Sequence, residues 1–246
     1  MRMLLTLMII IFALGSLAVE SKLVHQDGSY EMIPLEKENI VIKVIQTGAN
    51  SLQDFEDPKE GLKQNLDHMI SMANKACGRG SKPDFLLFHE FPLTGYSSGS
   101  RKEKLKYTIQ VPGPETKALG KIAKECDTYL IFGSYATDLD WPQHILSLNT
   151  VIGRNGEVMK AFWKSRNIKR IYKDREITTT TIEAVRDKYR EKYGIDEEFP
   201  VLRTEFGNFA VTTVQGDPFV FAAFAMKGVE IMFRTATLFS ESDVLA

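Results

Sequence analysis

Short apolar runs alternate with amphipathic helical stretches along most of this chain, and that alternation restricts its fold more than any other feature. Residues 40–46 (Ile-Val-Ile-Lys-Val-Ile-Gln) are β-branched and mostly apolar, the pattern of a strand covered on both faces. Asp57-Pro58 then offers an N-cap with proline at the first helical position and Glu60 at the capping-box position. Leu62, Leu66, Met69, Ile70 and Ala73 follow at helical spacing. A second strand, residues 85–88 (Phe-Leu-Leu-Phe), delivers His89 and Glu90 at its C-terminal end, and Pro92 and Gly95 turn the chain behind them. Pro112-Gly113-Pro114 breaks the chain before a helix over 115–125 with Ala118, Leu119, Ile122 and Ala123 inward, and 129–134 reads as the next strand.

The rhythm then changes. Segments 147–152 and 158–163 flank Arg154-Asn155-Gly156 and predict a hairpin, with Asn-Gly supplying the positive φ angles of a tight turn and Lys164 at the end of the second strand. Thr180 with Glu183 three residues on predicts a capping box before a highly charged surface helix running to about Tyr193 and ended by Gly194. A strand over 209–214, an apolar helix over 219–227 stopped by Gly228, and a strand over 229–233 complete the pattern. There is no internal repeat or Gly/Ser linker, so one layered α/β domain over 40–246 is expected, preceded by a polar extension over 19–39.

Bulk properties exclude several function classes. A formal charge of −1 gives no field for steering nucleic acid, which leaves a small molecule or a protein as partner. Arg2, an apolar run over 4–14 and Ser16-Leu17-Ala18 form the pattern of a secretory signal peptide over 1–18. The run is shorter than the roughly 20 residues that cross a bilayer, so a secreted, periplasmic or extracellular product without a stable membrane span is expected once the signal is cut. Cys77 and Cys126 are too few for a disulfide framework and match no zinc spacing; one bridge and two buried free thiols both fit. His68, His89 and His144 form no ligand-spaced cluster and read as surface or satisfied core histidines, so no metal or cofactor is expected.

A glutamate and a lysine at two strand ends would alone be a weak signal. The words around them are specific. Phe88-His89-Glu90-Phe91-Pro92-Leu93-Thr94-Gly95-Tyr96, Val111-Pro112-Gly113-Pro114-Glu115-Thr116, Asn149-Thr150-Val151-Ile152 with Asn155-Gly156-Glu157, and Trp163-Lys164 occur in the order of the nitrilase (carbon–nitrogen hydrolase) superfamily, which this chain closely resembles over about residues 40–237. Residues 199–208 and 225–231 resemble the segments flanking that family's nucleophile elbow, and His89 stands where the family usually has proline. The resemblance implies an α/β fold, a four-layer α-β-β-α sandwich, whose active members cleave amides or nitriles through a thioester or thioimidate, without metal. It makes Glu90 the base that takes the thiol proton and later activates water. It makes Lys164 the ammonium that stabilises negative charge growing on the substrate.

The family's cysteine should fall between Phe209 and Pro218, where this chain reads Phe-Ala-Val-Thr-Thr-Val-Gln-Gly-Asp-Pro. Counting forward from Gly207 puts Val214 at the nucleophile, and counting back from Gly228 puts Thr212 there; neither replaces a thiolate. An alcohol at Thr212 or Thr213 would need a purpose-built base. Cys77 and Cys126 fall at the ends of predicted helices and receive no role. Glu176 is a candidate for the family's second active-site glutamate by position only. Members usually continue past the strand matching 229–233, so the sandwich is expected to be incomplete at its C-terminal end, with an open sheet edge and a possible homo-oligomer. Three functional readings follow. The first is a disarmed hydrolase site that binds a small amide or nitrile through Glu90 and Lys164. The second is a working hydrolase with another nucleophile, and the third is a non-catalytic assembly protein.

Overall fold

A computed structural model of the chain describes residues 23–167, 178–214 and 217–236. The signal-peptide segment and Glu176 lie outside the described residues.

The first sheet is built from β1 (Ile42–Ile45), β2 (Phe85–Phe88), β4 (Tyr129–Asp138), β5 (Trp141–Ile152) and β6 (Val158–Trp163) in that order, with the short β3 (Ile109–Gln110) beside the far end of β4. β1, β2 and β4 run parallel, and β4, β5 and β6 form an antiparallel meander. Two helices cover one face of this sheet: α1 (Pro58–Cys77) and α3 (Pro114–Cys126), while α2 (Arg101–Lys104) is a single turn between them. The predicted helical stripes are the ones buried: Met69 and Ala73 of α1 and Leu119, Ile122 and Ala123 of α3 pack on Leu86, Phe88, Leu130, Phe132, Leu148 and Ile152. Asp57 caps α1 through its carboxylate, which accepts from the Lys59 amide at 3.0 Å.

A second, three-stranded sheet, β7 (Leu202–Thr204), β8 (Gly207–Thr212) and β9 (Ile231–Arg234), faces the other side of the first. The core between the sheets is aromatic, with Phe85 of β2 at 5.3 Å from Phe209 and 5.0 Å from Phe233, centroid to centroid. Helix α5 (Pro218–Met226) packs Val220 and Phe224 on the second sheet, completing an α-β-β-α layering. Residues ahead of β1 are tied to both sheets: Arg203 of β7 donates to the Glu31 and Leu23 carbonyls, and Lys37 pairs at 2.6 Å with buried Asp84, just ahead of β2.

Four expectations are corrected. β1 is an edge strand and not a doubly covered one, with Val44 72% and Ile42 40% exposed, because within the described residues it pairs only with β2. The hairpin turn does not take two positive φ angles. Gly156 alone is left-handed, at +88°, and the loop closes through Gly156 N–H to the Gly153 carbonyl and Gly153 N–H to the Glu157 carbonyl. The charged helix α4 (Arg186–Tyr193) starts later than predicted, after a 3-10 turn over Glu183–Val185, and Thr180 is not its cap. Thr180 is held by the first sheet instead, bridging Leu146 and donating its amide to the Ile145 carbonyl, so it cannot turn to a helix end. Nor is α4 wholly superficial, since Tyr189 is buried against Trp141 and Ile182.

The last C-terminal residues of α1 and α3 settle the cysteine alternatives: Cys77 and Cys126 form a disulfide. It closes a span of 49 residues, for which chain entropy alone gives roughly 4 kcal/mol of stabilisation. Urea unfolding with and without reductant, alongside a Cys77→Ala/Cys126→Ala variant, is expected to show a loss of about 2–4 kcal/mol.

Candidate active site

Glu90 reaches the site because β4 leaves room for it. A Cβ at Gly133 would overlap the backbone of Glu90, so the chain leaving β2 crosses directly over β4 at the one position without a side chain. The Gly133 amide donates to the His89 carbonyl at 3.1 Å and fixes that crossing. The turn that follows is held from α1: buried Asn65 donates to the carbonyls of Leu93 and Asn50, each at 2.8 Å. Gly95, at φ +63°, closes it with its amide on the Phe91 carbonyl.

Lys164 leaves the end of β6 in a backbone clamp. Its amide donates to the Ser147 carbonyl, and its carbonyl accepts from Ile182, each at 3.1 Å. Both side chains are buried, Glu90 to 7% and Lys164 to 10% exposure, and Nζ stands 3.8 Å from Glu90 Oε1. Ser147 Oγ lies at 3.5 Å from the same oxygen. The two residues singled out in the sequence are therefore neighbours across the fold. Removing either charge would leave the other buried and less compensated, a change that costs about 3–5 kcal/mol where it has been measured.

The second sheet reaches this place through β8 and β9. Thr235 donates its amide to the Thr212 carbonyl at 3.1 Å and its hydroxyl to Asn149 Oδ1 at 2.6 Å, linking the elbow strand to β5. Both counts for the missing cysteine end here. Val214 is a buried hydrocarbon of the inter-sheet core, and the Thr212 hydroxyl accepts from the Val214 amide at 3.1 Å. Thr213 Oγ1 is buried and has no hydrogen-bond partner among the described residues, so none of them is positioned as a base to take its proton. The thiols cannot serve either, being joined to each other at the ends of the helices on the far face of the first sheet.

His89, in place of the family's usual proline, uses both ring nitrogens. Nε2 lies 3.0 Å from Thr47 Oγ1, and Nδ1 accepts from the Phe91 amide at 3.3 Å, so the ring spans the peptide that carries Glu90. Burial holds its pKa below the usual histidine range, against a smaller opposing effect of Thr47. His144 is lowered as well, by burial first and by Arg101 and Lys188 after it; its Nδ1 sits 2.8 Å from Thr180 Oγ1. His68 is exposed on α1. Among the described residues no group of three His, Cys, Asp or Glu side chains is placed to hold a metal ion, and no helix is long and apolar enough to cross a membrane.

Sequence reasoning missed Gly133, Ser147, Asn149 and Thr235. A lone glycine inside an apolar strand was the available signal for the first, since it marks close approach of another backbone. Ser147 and Asn149 required the strand register, which puts Ser147 beside Lys164 and Asn149 beside Gly133.

An α-β-β-α sandwich with a buried carboxylate and a buried ammonium meeting at strand ends defines the class of nitrilase-type amidohydrolase folds. The chain belongs to the carbon–nitrogen hydrolase family, whose profile matches residues 47–244. It is 39% identical over 77 residues to the protein N-terminal amidase of Saccharomyces cerevisiae, a match covering 31% of this chain and 16% of that one. A crystal structure of N-terminal amidase aligns at 25% identity over 58% of this chain and 30% of its own, with a TM-score of 0.46. A mutant of the amidase from Nesterenkonia sp. AN1 in complex with acrylamide aligns at 15% identity over 87% of this chain and 71% of that one, with a TM-score of 0.59. The chain thus spans less than a third of the length of the N-terminal amidases it matches.

Because both histidine pKa values fall on folding, the unfolded chain binds more protons below about pH 6.5. Stability is expected to be complete above that pH and to decline as pH drops toward 5. In urea titrations at a series of pH values, His89→Asn should flatten this slope, and an unchanged slope would contradict the assignment.

Proposed function

We propose that this protein binds a small amide or nitrile at Glu90 and Lys164 and does not complete the covalent step of its family. One observation carries the reading: the carboxylate–ammonium pair is assembled and buried, while the elbow strand offers Val214, a backbone-engaged Thr212 and a Thr213 with no base among the described residues. A desolvated ammonium polarises a carboxamide oxygen or nitrile nitrogen whether or not a nucleophile follows. Glu90 would accept from the amide N–H in place of a thiol. The likeness to protein N-terminal amidase over 77 residues favours an amide as the bound group. Covalent hydrolysis needs a thiolate to attack carbon and form the thioester that water then opens, and the described residues supply none. Export of the mature chain from residue 19 is part of the same proposal, supported by the Cys77–Cys126 bridge, since such bridges persist in oxidising compartments.

The purified chain is expected to release no ammonia from short aliphatic amides and nitriles, yet to bind them by calorimetry, with at least tenfold weaker binding in Lys164→Ala. Ammonia release that depends on Lys164 would overturn the non-catalytic part. Absence of binding to a folded sample would overturn the rest.

A second reading, assembly, is favoured by helix α5. All nine of its residues are apolar, and Ala222, Ala225 and Met226 lie exposed, Met226 to 78%. A helix apolar all round is normally covered, so self-association through this face is expected. Sedimentation should show a dimer that dissociates in Met226→Glu, and a monomer at micromolar concentration would remove this reading.

A further inference from the structure

Beside Lys164 lies a second recess. Ser165, Arg166, Arg186, Glu198, Phe199 and Phe219 form most of the wall of a cleft of about 200 Å³, bounded on one side by the residue after Lys164 and on another by α5, which follows the elbow. Arg166 and Arg186 are held in the same way. Arg166 Nε donates to Asp217, the buried N-cap of α5, and Arg186 Nε pairs with buried Glu198 at 3.1 Å. Asp217 is doubly committed, accepting also from the Phe219 amide at 3.1 Å, and Glu198 is held by both Nε and Nη2 of Arg190 at 2.9 and 2.8 Å. Each guanidinium is thus fixed through Nε, and among the described residues no bond to the terminal nitrogens of Arg166 or Arg186 is seen.

The cleft suits an anion through the placement of its donors and not through excess charge. Its two lining arginines each pair with one buried carboxylate, Asp217 or Glu198, with Arg190 behind Glu198, and Glu183, which also acts on Arg166, is exposed to solvent. Two pre-oriented guanidinium forks match a planar carboxylate. Phe199 is half-buried and Phe219 is 77% exposed at the rim, so the walls also suit an apolar or aromatic group of roughly ten non-hydrogen atoms.

We propose that this cleft is a carboxylate-binding subsite, seating the acid end of a ligand whose carboxamide lies at Glu90 and Lys164. This rests on the amide-binding reading only for the ligand's other end; the subsite itself stands on Arg166 and Arg186. The probes are 3-phenylpropanoate and the neutral alcohol 3-phenylpropan-1-ol, titrated calorimetrically into the full chain. The carboxylate is expected to bind at least tenfold more tightly than the alcohol, and its affinity should fall tenfold or more in Arg186→Gln. That variant keeps its fold because Arg190 still pairs with Glu198, whereas Arg166→Gln leaves Asp217 buried without its partner; Arg166→Lys, which keeps a charge but loses the fork, is the second test and should weaken binding several-fold. Lys164→Ala should lower 3-phenylpropanoate affinity less than Arg186→Gln does. Equal affinity for acid and alcohol, or carboxylate binding indifferent to Arg186, overturns the subsite. Carboxylate binding that depends on Lys164 alone overturns it while leaving the amide reading intact.

Discussion

The crossing of Glu90 over Gly133 is the contact on which both the fold and the site depend. β2 is a central strand whose side chains feed two cores, Leu86 and Phe88 toward the helices and Phe85 and Leu87 toward the second sheet. The chain must leave such a strand without opening the sheet beside it. It does so by laying backbone on backbone, with the Gly133 amide bonded to the His89 carbonyl. That single close approach sets the height of Glu90 above β4 and hence its distance from Lys164, which is fixed independently by the Ser147 and Ile182 bonds.

Much of this was legible because local and long-range signals agreed. The stripe of Met69 and Ala73, the apolar strand over 85–88, and the lysine at the end of a hairpin each required only periodicity or turn chemistry, and the collinear words around Glu90 and Lys164 named the fold. What sequence could not give was anything set by neighbours in space. Val44 has the composition of an interior strand residue, yet it is exposed because of which strand stands next to it. Thr180 has the residue spacing of a helix cap, but a β-bridge to Leu146 claims its backbone first. The cysteine pairing depended on two helix ends meeting 49 residues apart.

A buried carboxylate and a buried ammonium are expensive to desolvate, and a fold retains them only where they are mutually compensated or used. Here their separation of 3.8 Å is too long for a direct hydrogen bond. The two charges therefore act on each other through space, and each keeps further polar neighbours, Ser147 at Glu90 among them. A buried pair of this kind polarises whatever polar group borders it, whichever side chain stands at the elbow.

The exposed edge at β1 has its own consequence for life in solution. A lysine on an outer strand ordinarily keeps other strands away by holding charge toward water. Lys43 does not stand guard in this way: its ammonium is turned back onto the carbonyls of Ala76, at 2.6 Å, and Arg79, at 2.5 Å, where it neutralises the negative end of α1. Among the described residues no strand pairs the outer edge of β1, which also carries the uncovered Ile42 and Val44, so this edge lacks the charged guard that outer strands ordinarily show.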